Sequence, residues 1–242
     1  MNRGHASRGG RRSERGASVV ELLVATAAGL IVAALCGHAL FLSQASYRSA
    51  ATRIDRDQHA QFALALIGAE VGAVVDAQTS TGCPSRGIRI TPGRMEFSAN
   101  LYDRHTVLRD AALSGSWEAV VAAGDAVEAG DTVMLTDPGE GHDPSDDVSH
   151  CARIASRSMD RLRLEAALPR AFPAGSPVAL VNRVMYRLDG QARLMRTQDG
   201  GTQRIADHVV GFEAEQAGRL LTIRLSMQDL PTRLRRIMVE GS

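Results

Sequence analysis

No lysine occurs in this sequence: all 28 of its basic side chains other than histidine are arginine. With alanine very frequent, this is genome composition and has no functional meaning. Catalytic signatures are missing as well. There is no nucleophile-elbow motif, no HExxH, no P-loop and no Gly-x-Gly-x-x-Gly after a strand. An enzyme built on one of those motifs is excluded, and neither enzymatic activity nor a cofactor is expected. A strongly basic body is also lacking, because the net charge is only +1 over 242 residues. That argues against a general nucleic-acid binder.

Cysteine is scarce, with Cys36 inside an apolar run and Cys83 and Cys151 in the polar remainder. If that remainder is exported, Cys83 and Cys151 form the natural disulfide pair. A bridge there closes a loop of nearly seventy residues and contributes roughly 4 kcal/mol in the chain-entropy model. The alternative is two separate buried thiols. Cys36 reads as a small apolar residue.

What is present is sharply polarised. Arg3, Arg8, Arg11, Arg12 and Arg15 oppose only Glu14 in residues 1–16, so the rest of the chain carries about −3. From Ala17 to Leu42 the run ASVVELLVATAAGLIVAALCGHALFL contains one formal charge, Glu21, and one titratable neutral residue, His38. The stretch Leu22 to Leu42 makes about 31 Å of helix, enough to cross a hydrocarbon core of about 30 Å. The basic leader places the N-terminus inside and the body outside. The run is too long and unbroken for a simple secretory signal. Leu35 before Cys36 excludes a lipoprotein signal, and the polar residues after Arg11-Arg12 do not suit a twin-arginine signal.

Gly16 closes the leader and Glu21 follows five residues later, at the edge of the apolar helix. This G-ASVVE-LLVATAAGLIV arrangement resembles the type IV prepilin signature. The resemblance implies cleavage after Gly16 by prepilin peptidase, N-methylation of Ala17, and pairing of Glu21 with the N-terminal amine of a neighbouring subunit. Alanine stands at residue 17 where the family usually has phenylalanine or methionine. A carboxylate in the first helical turn is favoured by the helix dipole, yet it costs a few kcal/mol in lipid unless paired. The other reading of Glu21 is an ordinary anchor helix whose carboxylate reaches the interface.

Residues Ser43 to Val74 contain no proline, and Tyr47, Ala51, Ile54, Gln58, Phe62, Ala65 and Ala69 recur at three- or four-residue steps. This predicts an amphipathic continuation of the helix, with that stripe on the body and Arg48, Arg53, Arg56 and Asp57 solvated. Gly68 and Gly72 mark its end. Beyond Gly87 the period becomes two. Ile88/Ile90 and Met95/Phe97 flank a Thr-Pro-Gly-Arg turn, Leu162/Leu164 alternate with arginines, and Val184, Tyr186 and Leu188 run into Asp189-Gly190. Ile205 to Val210 reads as a helical turn, followed by strands at Phe212 to Ala214 and Leu220 to Met227.

The stretch DQHAQFALALIGAEVGAVV, the later Thr81-Gly82-Cys83, and the order YRLDG, RIADHVVGFEAE, RLLTIRLSM resemble PilW-type minor pilins and the related GspJ-type pseudopilins. The implied fold is α+β and type IV pilin-like, a long N-terminal helix packed on an antiparallel β-sheet body. The implied organisation is a leader at 1–16, a transmembrane helix at 17–42, an amphipathic continuation at 43–75 and a periplasmic body at 76–242. The implied role is a minor pilin that primes pilus assembly at the bacterial inner membrane. Its expected partners are prepilin peptidase, the other minor pilins and the major pilin. The rivals are a GspJ-like subunit of a type II secretion pseudopilus and a membrane-anchored periplasmic binding or adhesion module that never polymerises.

Two further clusters are expected to be structural. The acidic loop Asp137 to Cys151, with His142 and His150, lacks the ordered spacing of a calcium or zinc site and reads as solvated, with no metal. Arg233, Arg235 and Arg236 read as exposed charges on an edge strand and not as a nucleic-acid contact.

Overall fold

The computed structural model describes residues 19–75, 82–83, 87–137, 139 and 147–239. The architecture is α+β, one long apolar helix followed by antiparallel sheets, and the chain divides into two compact units between Thr52 and Arg53. Helix α1 spans Val19–Gly72. It is free of proline and rich in alanine and leucine, and it stops where Gly72 lowers helix propensity. The N–H groups of Ala73 and Val74 then close the last turn on the carbonyls of Glu70 and Val71.

Among the described residues fourteen strands follow. They are β1 (Arg89–Thr91), β2 (Arg94–Ala99), β3 (His105–Val107), β4 (Glu118–Val120), β5 (Thr132–Asp137), β6 (Val148–Ser158) and β7 (Arg161–Leu164), then β8 (Pro177–Leu180), β9 (Asn182–Leu188), β10 (Leu194–Gln198), β11 (Gly201–Ala206), β12 (Val209–Ala217), β13 (Leu220–Met227) and β14 (Arg233–Met238). A five-stranded sheet has the order β1-β2-β9-β10-β11, and a three-stranded sheet has the order β12-β13-β14. Both contribute to one core with the second half of α1, in which Ile67, Met95, Phe97, Tyr186, Leu221, Ile223 and Leu225 are buried. The expected hairpins appear as β1–β2, with Gly93 at φ +67°, and β9–β10.

The middle of the body adds a further sheet to the antiparallel body expected. Strands β3 to β8 form a six-stranded sheet of order β3-β8-β5-β6-β7-β4. Its two ends meet. Leu108 bridges Val121, the Arg109 N–H donates to the Val120 carbonyl, and the Ala122 N–H donates to the Val107 carbonyl. The result is a small closed barrel around its own core, including Leu108, Val121, Leu135, Ile154, Leu162, Leu164 and Phe172. Closure removes the free edges that so short a set of strands otherwise presents. The barrel enters after Ala99 and leaves before Asn182, which are direct partners in the β2–β9 ladder. It is therefore an insertion into a ladder that remains intact.

Cys83 and Cys151 are disulfide-bonded, with Cα atoms 4.7 Å apart. The bond fixes the segment after α1 to β6 on the barrel, where Met134 and Val181 are also buried, with Val75 packed against them. Gly82 before it has φ +79°, and a Cβ there would lie 2.6 Å from the Cys151 carbonyl oxygen. Only glycine adopts this backbone and this approach without strain. Gly82→Ala is expected to leave Cys83 and Cys151 reactive to a thiol probe in the unreduced chain, where the native protein reacts at Cys36 alone. An alkylation pattern unchanged from native would contradict this.

Candidate functional site

Every residue of α1 from Val19 to Thr52 is exposed, and the stretch up to Leu42 is almost wholly apolar. This helix is long and apolar enough to cross a membrane once. Glu21 lies in its first turn. Gly16 and Ala17, the expected processing site, lie outside the described residues. The Thr26 hydroxyl donates back to the carbonyls of Leu22 and Leu23, at 3.0 and 2.9 Å, so this polar group is satisfied within the helix. Cys36 is a free, exposed thiol.

The second half packs on the sheets through Ala60, Ala63, Leu64, Ile67, Glu70 and Val71. This corrects the expected face. Ile54 and Phe62 are each 59% exposed, and Gln58, Ala65 and Ala69 are exposed with them. Two stripes of similar period run along this helix. The sheets supply the bulk through Phe97, Tyr186 and Phe212, so the docked stripe is the one with alanines at positions 60 and 63.

Charged contacts reinforce that face. Glu70 is 7% exposed and accepts the Tyr186 hydroxyl at 2.5 Å, Arg196 Nε at 2.8 Å and Arg196 Nη2 at 2.5 Å. Arg196 also donates to Gln198, whose amide donates to the Tyr102 hydroxyl. Burial pushes the Tyr186 phenol up, and the Glu70 carboxylate adds to that shift. Burial works against the Arg196 charge, but hydrogen bonding and attraction to Glu70 outweigh it and hold the guanidinium above its usual range. Arg56 and Asp57, expected to be solvated, are instead engaged: Arg56 pairs with Asp229 at 3.2 Å and Asp57 with Arg233 at 2.5 Å. The Arg235 guanidinium lies over Gly68, in space that a Cβ would occupy.

A second buried carboxylate, Glu96 on β2, sits 2.6 Å from both Arg94 and Arg183. Burial raises its pKa, yet the two arginines more than offset this and bring it below the ordinary value of 4.5. Asp189 caps the β9–β10 turn, accepting the N–H groups of Gln191 and Arg193 and the Arg193 side chain. Sequence reasoning missed Glu70 and Arg196. The available signal was a lone charge at an apolar phase of each element.

Other candidates come together less. His142 lies outside the described residues, and among those described no group of three His, Cys, Asp or Glu side chains is placed to hold a metal. A cleft of about 350 Å³ between the barrel and the five-stranded sheet is lined by Asp131, Arg153, Arg183 and Asp199. Each of these charges already has protein partners. Of the C-terminal arginines, Arg233 and Arg235 turn toward α1 and Arg236 faces outward.

No family model and no curated protein matches the chain. Among solved structures it is similar to the Gp54 tailspike of Acinetobacter baumannii bacteriophage AP22 in complex with A. baumannii capsular saccharide, at 14% identity and TM-score 0.30. That likeness covers 33% of this chain and spans 15% of the tailspike.

Glu70→Gln keeps an acceptor for Tyr186 but strands the buried Arg196 charge. It is expected to cost about 3–5 kcal/mol, read by urea unfolding of the full chain in detergent. Glu96 has a depressed folded pKa, so its contribution is complete above the unfolded value and is lost as pH falls through the folded one. Glu96→Gln is therefore expected to flatten the loss of stability below about pH 4 in thermal melts across pH.

Proposed function

We propose that this chain is a membrane-anchored subunit that enters a larger assembly through its N-terminal helix. Within that class, the reading is a type IV prepilin, a PilW-like minor pilin that primes or caps pilus assembly together with other minor pilins and the major pilin. Prepilin peptidase cuts after Gly16 and methylates Ala17. The new amine of one subunit is then neutralised by Glu21 of a neighbour as it leaves the bilayer.

The observation that carries this reading is the second stripe of α1. Ile54, Phe62, Ala65 and Ala69 stay uncovered although the opposite face is fully docked. A soluble domain buries such a stripe, whereas a subunit destined for packing among other helices keeps it available. Glu21 in the first turn and the bare apolar half of the helix agree with the same use.

Mass spectrometry of the N-terminus from native membranes is expected to find N-methylated Ala17. Retained Met1, or a cut near Ala27, would sink the reading. Glu21→Ala is expected to leave the chain in the membrane and to abolish recruitment of partner subunits. Unchanged recruitment would favour an inert anchor.

A further inference from the structure

The three-stranded sheet has two edges of opposite character. Strand β13 is antiparallel to both neighbours, so β12 and β14 run parallel to each other at opposite edges. On the face turned away from α1, the cross-strand rows are Glu213–Arg224–Leu234, Glu215–Thr222–Arg236 and Ala217–Leu220–Met238. Glu213 and Glu215 share Arg224, at 3.8 and 3.6 Å, and their side chains remain 72% and 67% exposed. One arginine between two carboxylates leaves the β12 side net negative. The β14 side carries the exposed Arg236, flanked by Leu234 and Met238, 48% and 64% exposed. The N–H of Val209, the first residue of β12, bonds to Ala192 in the β9–β10 turn, whereas Glu213, Glu215, Gln216 and Ala217 are exposed.

We propose that copies of this chain join head to tail through these edges, the β14 edge of one copy lying parallel to the second half of β12 in the next. Neighbouring strands sit about 4.8 Å apart. Continuing the rows across the joint sets Arg236 beside Glu215 of the next copy and Met238 beside its Ala217. The occupant is chosen by charge. A twofold pairing of β14 with β14 sets arginine against arginine, and one of β12 with β12 sets carboxylates together, so both symmetric arrangements are disfavoured. Parallel edges give every joint the same sense, so the same two edges meet at each one. The contact is heterologous and does not close on itself at two copies. It does not depend on processing at Gly16.

The test uses the full chain in native membranes, with a photoreactive residue at position 238. The expected adduct joins position 238 to residues 213–217 of another copy. Glu215→Arg and Arg236→Glu are each expected to lower the adduct yield roughly fivefold, and the double exchange to restore it. Both side chains are exposed, and unreactive Cys83 and Cys151 thiols verify folding in every variant. Adducts between two β14 strands, no intermolecular adduct, single variants at native yield, or a double exchange as low as the singles would each overturn the proposal.

Discussion

The Glu70 carboxylate, held by the Tyr186 hydroxyl and the Nε–Nη2 edge of Arg196, is the contact on which the organisation of the body depends. It joins a residue of α1 to residues on two adjacent strands, β9 and β10, more than a hundred positions later. Removing charges from water is costly, and the cost is met only when the partners arrive in the right register. The shared carboxylate therefore selects one rotation of the helix on the sheet. Apolar contacts alone select poorly here, because α1 carries two stripes of comparable period. The choice decides which stripe is spent on the body and which stays exposed.

The ion pairs of Arg56 and Asp57 extend the same logic nearly four turns towards the first half of the helix. They fasten α1 to both ends of the β13–β14 connection, at Asp229 and Arg233. Arg233 and Arg235 are consequently occupied by the helix. Only Arg236 of that run is left on the outer face, where it gives the sheet edge a sign.

Much of this was legible in the residues. The helix and its end at Gly72, the Pro-Gly turn, the Asp-Gly hairpin and the full extent of β13 follow from local chemistry, and the disulfide follows from where the cysteines lie. The barrel was not legible, because β3, β4 and β8 have three or four residues each, too few for alternation to register. Its closure rests on the non-local meeting of Leu108 with Val121. The helical turn expected at Ile205 to Val210 is instead the end of β11 and the start of β12, joined through His208 at φ +60° without a glycine to mark the bend. In the candidate site, Glu21 stood out because one carboxylate in a long apolar run is conspicuous. Glu70 and Arg196 did not, because each is unremarkable until the other is placed beside it.

The barrel also bears on how the scaffold comes together. Strands β2 and β9 are separated by residues 100–181, and closing a flexible loop of that length costs about 4 kcal/mol of chain entropy. Once the barrel has closed on its own core, Ala99 and Asn182 emerge side by side and that entropy has already been lost. The insertion then acts as a clasp, turning a distant strand pairing into a nearly local one. Its folding and that of the five-stranded sheet become successive steps of a single process.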